Sequence, residues 1–265
     1  MTLYCRTYDE PIAVKEYTRD LGVLVDSEAD FRPQRLAVAK KVRAKAAWCL
    51  RVFRSREPSL MRTLWRSVIQ PHQDYASQLW SPANLLGDIQ IQEAPLRSFT
   101  KRVRGLQETP YWERLQALKL LSCERRQERY KLIYVWKALK GLVPDCGVSI
   151  DPLVGPRRGL MASIPPLAGS RSHIQTLKDN SFQYFAPKLF NCLPSGLRTL
   201  EPSLLTFKYR LDAWLRGVRD CPWTVGRPHP ATDSAGRPSN SLLAWSKLEG
   251  FGNPVPPLHA QPVCD

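Results

Sequence analysis

Residues 32–54 read RPQRLAVAKKVRAKAAWCLRVFR. Val38, Val42, Ala46, Cys49 and Phe53 recur at spacings of four, four, three and four. That spacing puts them on one face of an α-helix. The opposite face is read as carrying Arg35, Lys40, Lys41, Arg43, Lys45 and Arg51, with Arg54 at its end. No acid occurs anywhere in the stretch. A run of cations without counter-charges repels itself, so the face is read as a phosphate-contacting surface. Such contacts would be independent of base sequence, since nothing in the chain reads as a base-reading helix.

Helical patterns continue downstream. Pro58 and Ser59 open a second helix, with Leu60, Met61, Leu64, Trp65 and Val68 at helical spacing and Arg62 and Arg66 outside. Pro71 interrupts or kinks it, and Tyr75, Leu79 and Trp80 extend the pattern towards Pro82. Asp88 is read as the cap of a third helix to about Val103, with Pro95 inside it and Arg97, Lys101, Arg102 and Arg104 near its end. Tyr111–Leu118 and Cys123–Lys140 follow. In the latter, Arg125, Arg126, Arg129 and Lys131 lie beside Glu124 and Glu128, which reads as a partly self-neutralised solvated face. Upstream, residues 3–8, 12–17 and 21–25 read as short strands, with a turn at Asp9-Glu10-Pro11.

The fold class expected is mainly α with a small N-terminal β element. Its units are a β remnant over 1–31, a helical bundle over 32–143 and a Pro/Gly-rich loop or linker over 144–172. A small C-terminal region over 173–220 holds the segments Ser181–Pro187 and Phe190–Pro194 and a helix from about Ser203. The last 45 residues hold eight of the 23 prolines and no net charge, and read as a mostly disordered tail.

Charge follows the same division. The net charge is +15, but residues 1–31 carry −4, residues 32–220 carry +19 and residues 221–265 carry none. The excess belongs to the middle block, as in a chain that lies on a polyanion. At 43% hydrophobic with eight Trp, the chain buries a core. Apolar runs such as Leu132–Trp136 are far short of the ~20 residues of a membrane span, and the first residues have no apolar core of signal-peptide length. Seven scattered Cys with no Cys-x-x-Cys pair argue for reduced intracellular thiols.

No catalytic or metal-binding residue is assigned. Two-metal nucleotidyl transfer needs closely placed carboxylates. The chain has no Asp-Asp pair, and Asp9-Glu10 reads as a solvated turn. No phosphate-cradling Gly-rich loop occurs. His72 and Asp74 are read as packing or hydrogen-bonding residues, and Cys221 with His229 lacks a second ligand pair.

A series of short blocks runs along the chain, beginning with Arg19-Asp-Leu-Gly-Val-Leu-Val25, Ser55-Arg56, Leu64-Trp65, Pro71-His72 and Trp80-Ser-Pro82. Arg97-Ser-Phe-Thr-Lys-Arg102, Tyr111-Trp-Glu-Arg-Leu115, Glu124-Arg-Arg126 and Gly141-Leu-Val-Pro144 continue it. Pro187-Lys-Leu-Phe-Asn191, Leu193-Pro194, Phe207-Lys208 and Ser239-Asn-Ser-Leu242 complete the series, which covers about 19–245. In order and spacing these blocks resemble LINE-type non-LTR retrotransposon reverse transcriptases of the chicken-repeat/jockey-like branch. Pro95 departs from the family pattern, as a drifted copy or a shifted helix start would, and residues 1–18 fit only loosely.

The resemblance implies a palm edge around Leu21–Val25 and a thumb from residue 34 onward that grips an RNA or RNA–DNA template–primer by its backbone. The family's Tyr/Phe-x-Asp-Asp and its Mg2+ would belong upstream, so no cofactor is expected here. The other polymerase domains are implied partners, with no membrane, and the implied setting is a nuclear or cytoplasmic ribonucleoprotein. Two further readings stay open. One is a working polymerase completed by upstream residues; the other is a host-reused helical module that binds nucleic acid or protein.

Overall fold

The computed structural model describes residues 15–27, 30–83, 85–144, 161–163, 181–200 and 203–251. Its first long helix is α1, Arg32–Val52. Pro33 sits in the first turn, where its missing N–H leaves no bond unmade. Val38, Val42, Ala46 and Cys49 are buried, as their spacing requires, and Phe53 leaves the helix to join the same apolar cluster.

Ahead of α1, β1 (Tyr17–Asp20) and β2 (Val23–Asp26) pair antiparallel, with Asp20 opposite Val23. The reading of 21–25 as one strand is corrected at its start. Leu21 and Gly22 have φ of 45° and 87° and form the turn between the strands. Two-residue hairpin loops favour positive φ at both positions, because that twist matches the strands. The Tyr75 hydroxyl donates to the Leu21 carbonyl at 2.8 Å and ties the hairpin tip to the helices. The expected strand over 3–8, and most of that over 12–17, lies outside the described residues.

α2 (Pro58–Leu64) widens into a π turn over Trp65–Ile69 and resumes as α3 (Gln70–Asp74). In a regular helix the Pro71 ring would strike the carbonyl four residues back, and the wider turn relieves this. Ala76, in the left-handed region, makes a second break before α4 (Ser77–Trp80). α5 (Leu86–Thr100) runs through Pro95 unbroken. Asp88 lies in its first turn but does not cap it, because its carboxylate pairs with Arg35. α6 is Tyr111–Ala117.

The largest correction concerns α7 (Cys123–Leu139). Its polar residues are not a solvated face: Glu124, Arg125, Arg126, Gln127, Glu128 and Lys131 are all buried. Apart from a 3.9 Å contact between Arg125 and Glu128 within the helix, Arg125, Arg126 and Glu128 find their partners in other elements. Arg126 donates to Asp74 Oδ1 at 3.2 Å and to Gln73 Oε1 at 2.7 Å. Glu128 accepts from the Ser241 hydroxyl at 2.6 Å and the Leu242 N–H at 3.0 Å. Arg125 donates to the carbonyls of Arg219 and Asn240 at 2.9 and 3.0 Å.

The second half of α7 is apolar. Leu132, Ile133, Val135 and Trp136 form a core with α8 (Phe182–Asn191) and α9 (Leu204–Gly217). Trp136 stacks on Phe207 with ring centres 5.1 Å apart. α8 is one helix through Pro187, not two segments divided there. Within 144–172, the described Ala162 exchanges both backbone bonds with the Asn191 side chain.

Residues 221–251 are ordered, which corrects the reading of a tail beginning at 221. Asp220 accepts from the Ser122 N–H and hydroxyl, both at 2.7 Å. Asn240 donates to Asp220 at 2.7 Å and accepts from the Cys221 N–H at 2.9 Å. α10 (Leu242–Glu249) then buries Leu242 and Trp245. Proline content could not reveal these anchors. Residues 252–265 lie outside the described residues.

Two outcomes test this interior. Asp74→Ala should cost about 3–5 kcal/mol in chemical denaturation, because it leaves Arg126 buried without its carboxylate. Glu124 is the second. Burial and the Glu128 charge push its carboxyl well above the ordinary 4.5, and its Oε1 has no bonding partner. The native state therefore keeps a proton that the unfolded chain releases above about pH 4.5. The contribution of Glu124 to stability is full below that pH and is lost as pH rises towards the native value. Glu124→Gln should flatten this decline, by about 1.4 kcal/mol for each pH unit crossed.

Candidate nucleic-acid interface

Because the apolar stripe of α1 faces the core, the other side of the helix faces solvent. Lys40, Lys41, Arg43, Arg51 and Arg54 are exposed and Lys45 is half-exposed. Lys40 to Arg51 spans about 16 Å of helix axis. None of the six takes part in an ion pair among the described residues. Between them stand the exposed small or apolar side chains of Ala44, Ala47, Trp48 and Val52, and Leu36 and Ala37 are exposed one turn ahead.

Arg35 does not belong to this face. It is 3% exposed, its Nε lies 2.7 Å from Asp88 Oδ2, and it donates to the Asp30 carbonyl. Arg35 precedes Val38 by three and Val42 by seven, which is core-side spacing, so the periodicity contained this answer. The Arg35 carbonyl in turn accepts from the Gln92 amide on α5.

The far end of α1 is finished by Arg56, which the charge reading passed over. Its guanidinium donates to the carbonyls of Leu50, Phe53 and Ser55. A cation there also meets the negative end of the helix dipole. The Arg56 carbonyl accepts the Arg104 N–H at 2.9 Å, which brings the turn after α5 against the end of α1. Lys101, Arg102 and Arg104 are exposed on that turn, and Arg104 is ion-paired with Glu57.

The remaining predicted cations divide. Arg97 is turned to the interior: it donates to the Trp223 carbonyl at 2.9 Å and lies 4.9 Å from the Tyr111 ring centre. Arg66 is exposed but engages the Lys119 carbonyl beyond α6. Burial and the neighbouring Arg62 charge lower its pKa. His72 lies near α1, its pKa lowered by burial and by Lys41 and Lys45. Asp74 serves the interior, accepting from Arg126, Tyr130 and Gln70.

His229 is bonded through both ring nitrogens to backbone carbonyls, those of Ala231 and Cys221. Among the described residues no group of three or more His, Cys, Asp or Glu could hold a metal ion. No described helix is long and apolar enough to cross a membrane. No protein-family model, curated protein or solved structure matches the chain.

The placement of the cations makes a ranking. Arg35→Ala should lower stability by about 3 kcal/mol, since it strands Asp88. Lys40→Ala and Arg43→Ala should each change it by less than about 0.5 kcal/mol. Thermal or urea denaturation that reversed this order would overturn the division into interior and surface cations.

Proposed function

We propose that the chain binds nucleic acid through the phosphate backbone, with the outer face of α1 as the principal contact. The observation that carries this is the set of exposed cations from Lys40 to Arg54 with no counter-charge of their own. Cations along one helix face meet successive phosphates and release counterions, whatever the bases are. Lys101, Arg102 and Arg104 extend the contact at the end of α1, and Arg62 on α2 and Arg66 in the π turn add charge.

With the ordered blocks of sequence, this supports a thumb-like role: the part of a LINE-type reverse transcriptase that holds an RNA or RNA–DNA template–primer. On this reading the chain carries no catalytic residue. Polymerisation and its Mg2+ belong to other polymerase domains, and the setting is a nuclear or cytoplasmic ribonucleoprotein. A second reading, a protein-interaction module, draws on α9. There Leu205 and Tyr209, one turn apart, are 78% and 72% exposed.

Titration of a labelled RNA–DNA duplex against salt tests the proposal. Affinity should fall steeply with salt, with a slope near −0.9 for each phosphate neutralised. Reversing Lys40, Lys41, Arg43 and Lys45 to Glu should weaken binding alike on unrelated sequences. Affinity indifferent to salt would sink the proposal, and a chain that self-associates but ignores nucleic acid would favour the second reading.

A further inference from the structure

We infer that Trp48 is a stacking platform for an unpaired base, so that the α1 face takes a single-stranded segment as well as duplex backbone; this rests on the proposed nucleic-acid binding. The eight tryptophans are not treated alike by the fold. Trp65, Trp80, Trp136 and Trp245 are fully buried, and Trp112, Trp214 and Trp223 are half-buried. Trp48 is 44% exposed and joins none of the apolar clusters among the described residues. An indole exposed to this degree and outside every apolar cluster contributes less to the fold than its buried counterparts.

Its surroundings say what would cover it. Lys45 Nζ lies 5.7 Å from the ring centre. Lys41 is two turns back and Arg51 one turn on, on the same exposed half of the helix. Side chains on a helix lean towards its N-terminus. The ring therefore leans towards Ala44, whose methyl group is too small to cover it. The result is an open aromatic face rimmed by three cations and no acid. An apolar protein partner would have to bury those cations without compensation. A membrane-inserting helix needs a broad apolar face, and that face of α1 is already in the core. A nucleotide strand answers both features: phosphates meet the cations, and a base lies on the indole. Every base has a π-face, so the contact tolerates any sequence.

The test uses the full chain and four probes. These are a labelled oligouridylate, an abasic strand of equal length, a blunt RNA–DNA duplex and a phosphatidylserine-containing vesicle. Trp48→Ala should weaken oligouridylate binding about tenfold, while leaving the abasic strand and the blunt duplex within about twofold. Trp48→Leu, which keeps apolar bulk but no π-face, should behave like Trp48→Ala, and Trp48→Phe should recover most of the loss. The salt slope should not change, because no cation is removed. Melting temperatures of the variants should match the parent, since the ring packs in no cluster. Equal loss on the abasic strand, no loss on oligouridylate, or a loss confined to vesicles would overturn the inference. If the unaltered chain binds strand and duplex in a salt-dependent way but the Trp48 variants are silent, only this inference falls. If it binds neither, the proposed function falls first and this with it.

Discussion

A buried arginine holds the two halves of this protein together. Arg126, at the start of α7, lies between α3 and the rest of the fold, bonded to Asp74 and Gln73. Burial opposes its charge most strongly of any single influence, but the charge and hydrogen bond of Asp74, together with further neighbours including Glu93, outweigh it and raise the pKa, so the guanidinium stays ionised. A charge in such a place is tolerable only when its partners are in position. The same demand recurs along one turn and a half of helix: Arg125 needs the carbonyls of Arg219 and Asn240, and Glu128 needs Ser241 and Leu242. One apolar cluster lies under α1 and α5, the other under the second half of α7 with α8 and α9. The polar seam between them allows few alternative packings, because any slip would leave several charged groups unbonded.

That interior explains why the candidate interface is clean. α1 is fastened from within by its apolar stripe and by Arg35 on Asp88. Arg56 closes its last carbonyls and joins it to the turn after α5. Once those tasks are assigned, the outer cations of α1 have no ion-pair partner among the described residues. Lys40, Lys41, Arg43 and Arg51 are free to meet an anion, whereas Arg35 and Arg97 are spent on the fold. Trp48 belongs with the first group, as an aromatic side chain that the core did not take.

Most of α1, including its buried residues and most of its exposed cations, was legible in its periodicity. The π turn was half legible, since Pro71 announces a break but not the form it takes. The buried Arg35 was legible only by treating a charged residue as part of the apolar stripe. α7 misled for the opposite reason. Glu124, Arg125, Arg126 and Glu128 have the composition of a wet surface, and intrahelical pairing accounts for them well enough. Beside the intrahelical Arg125–Glu128 contact, Arg125, Arg126 and Glu128 have partners more than fifty residues away in sequence, at Asp74, Gln73, Arg219, Asn240 and Ser241. Residues 221–251 misled in a similar way, because prolines were counted while the Asp220–Asn240 clasp and Trp245 could not be.

The amino-acid sequence alone determined the mainly α fold class with its small N-terminal β element, the helical stripe of α1 and the concentration of charge in the middle of the chain. Each depends on spacing within a few residues, over which a backbone period or a local charge density is already defined. Only the tertiary structure decided which cations are interior and which are free, that α7 is a buried spine, and that Trp48 stays partly exposed outside the apolar clusters. Those outcomes depend on which distant groups meet. A buried charge is stable or ruinous according to a partner drawn from anywhere along the chain, and local pattern carries no information about where that partner is.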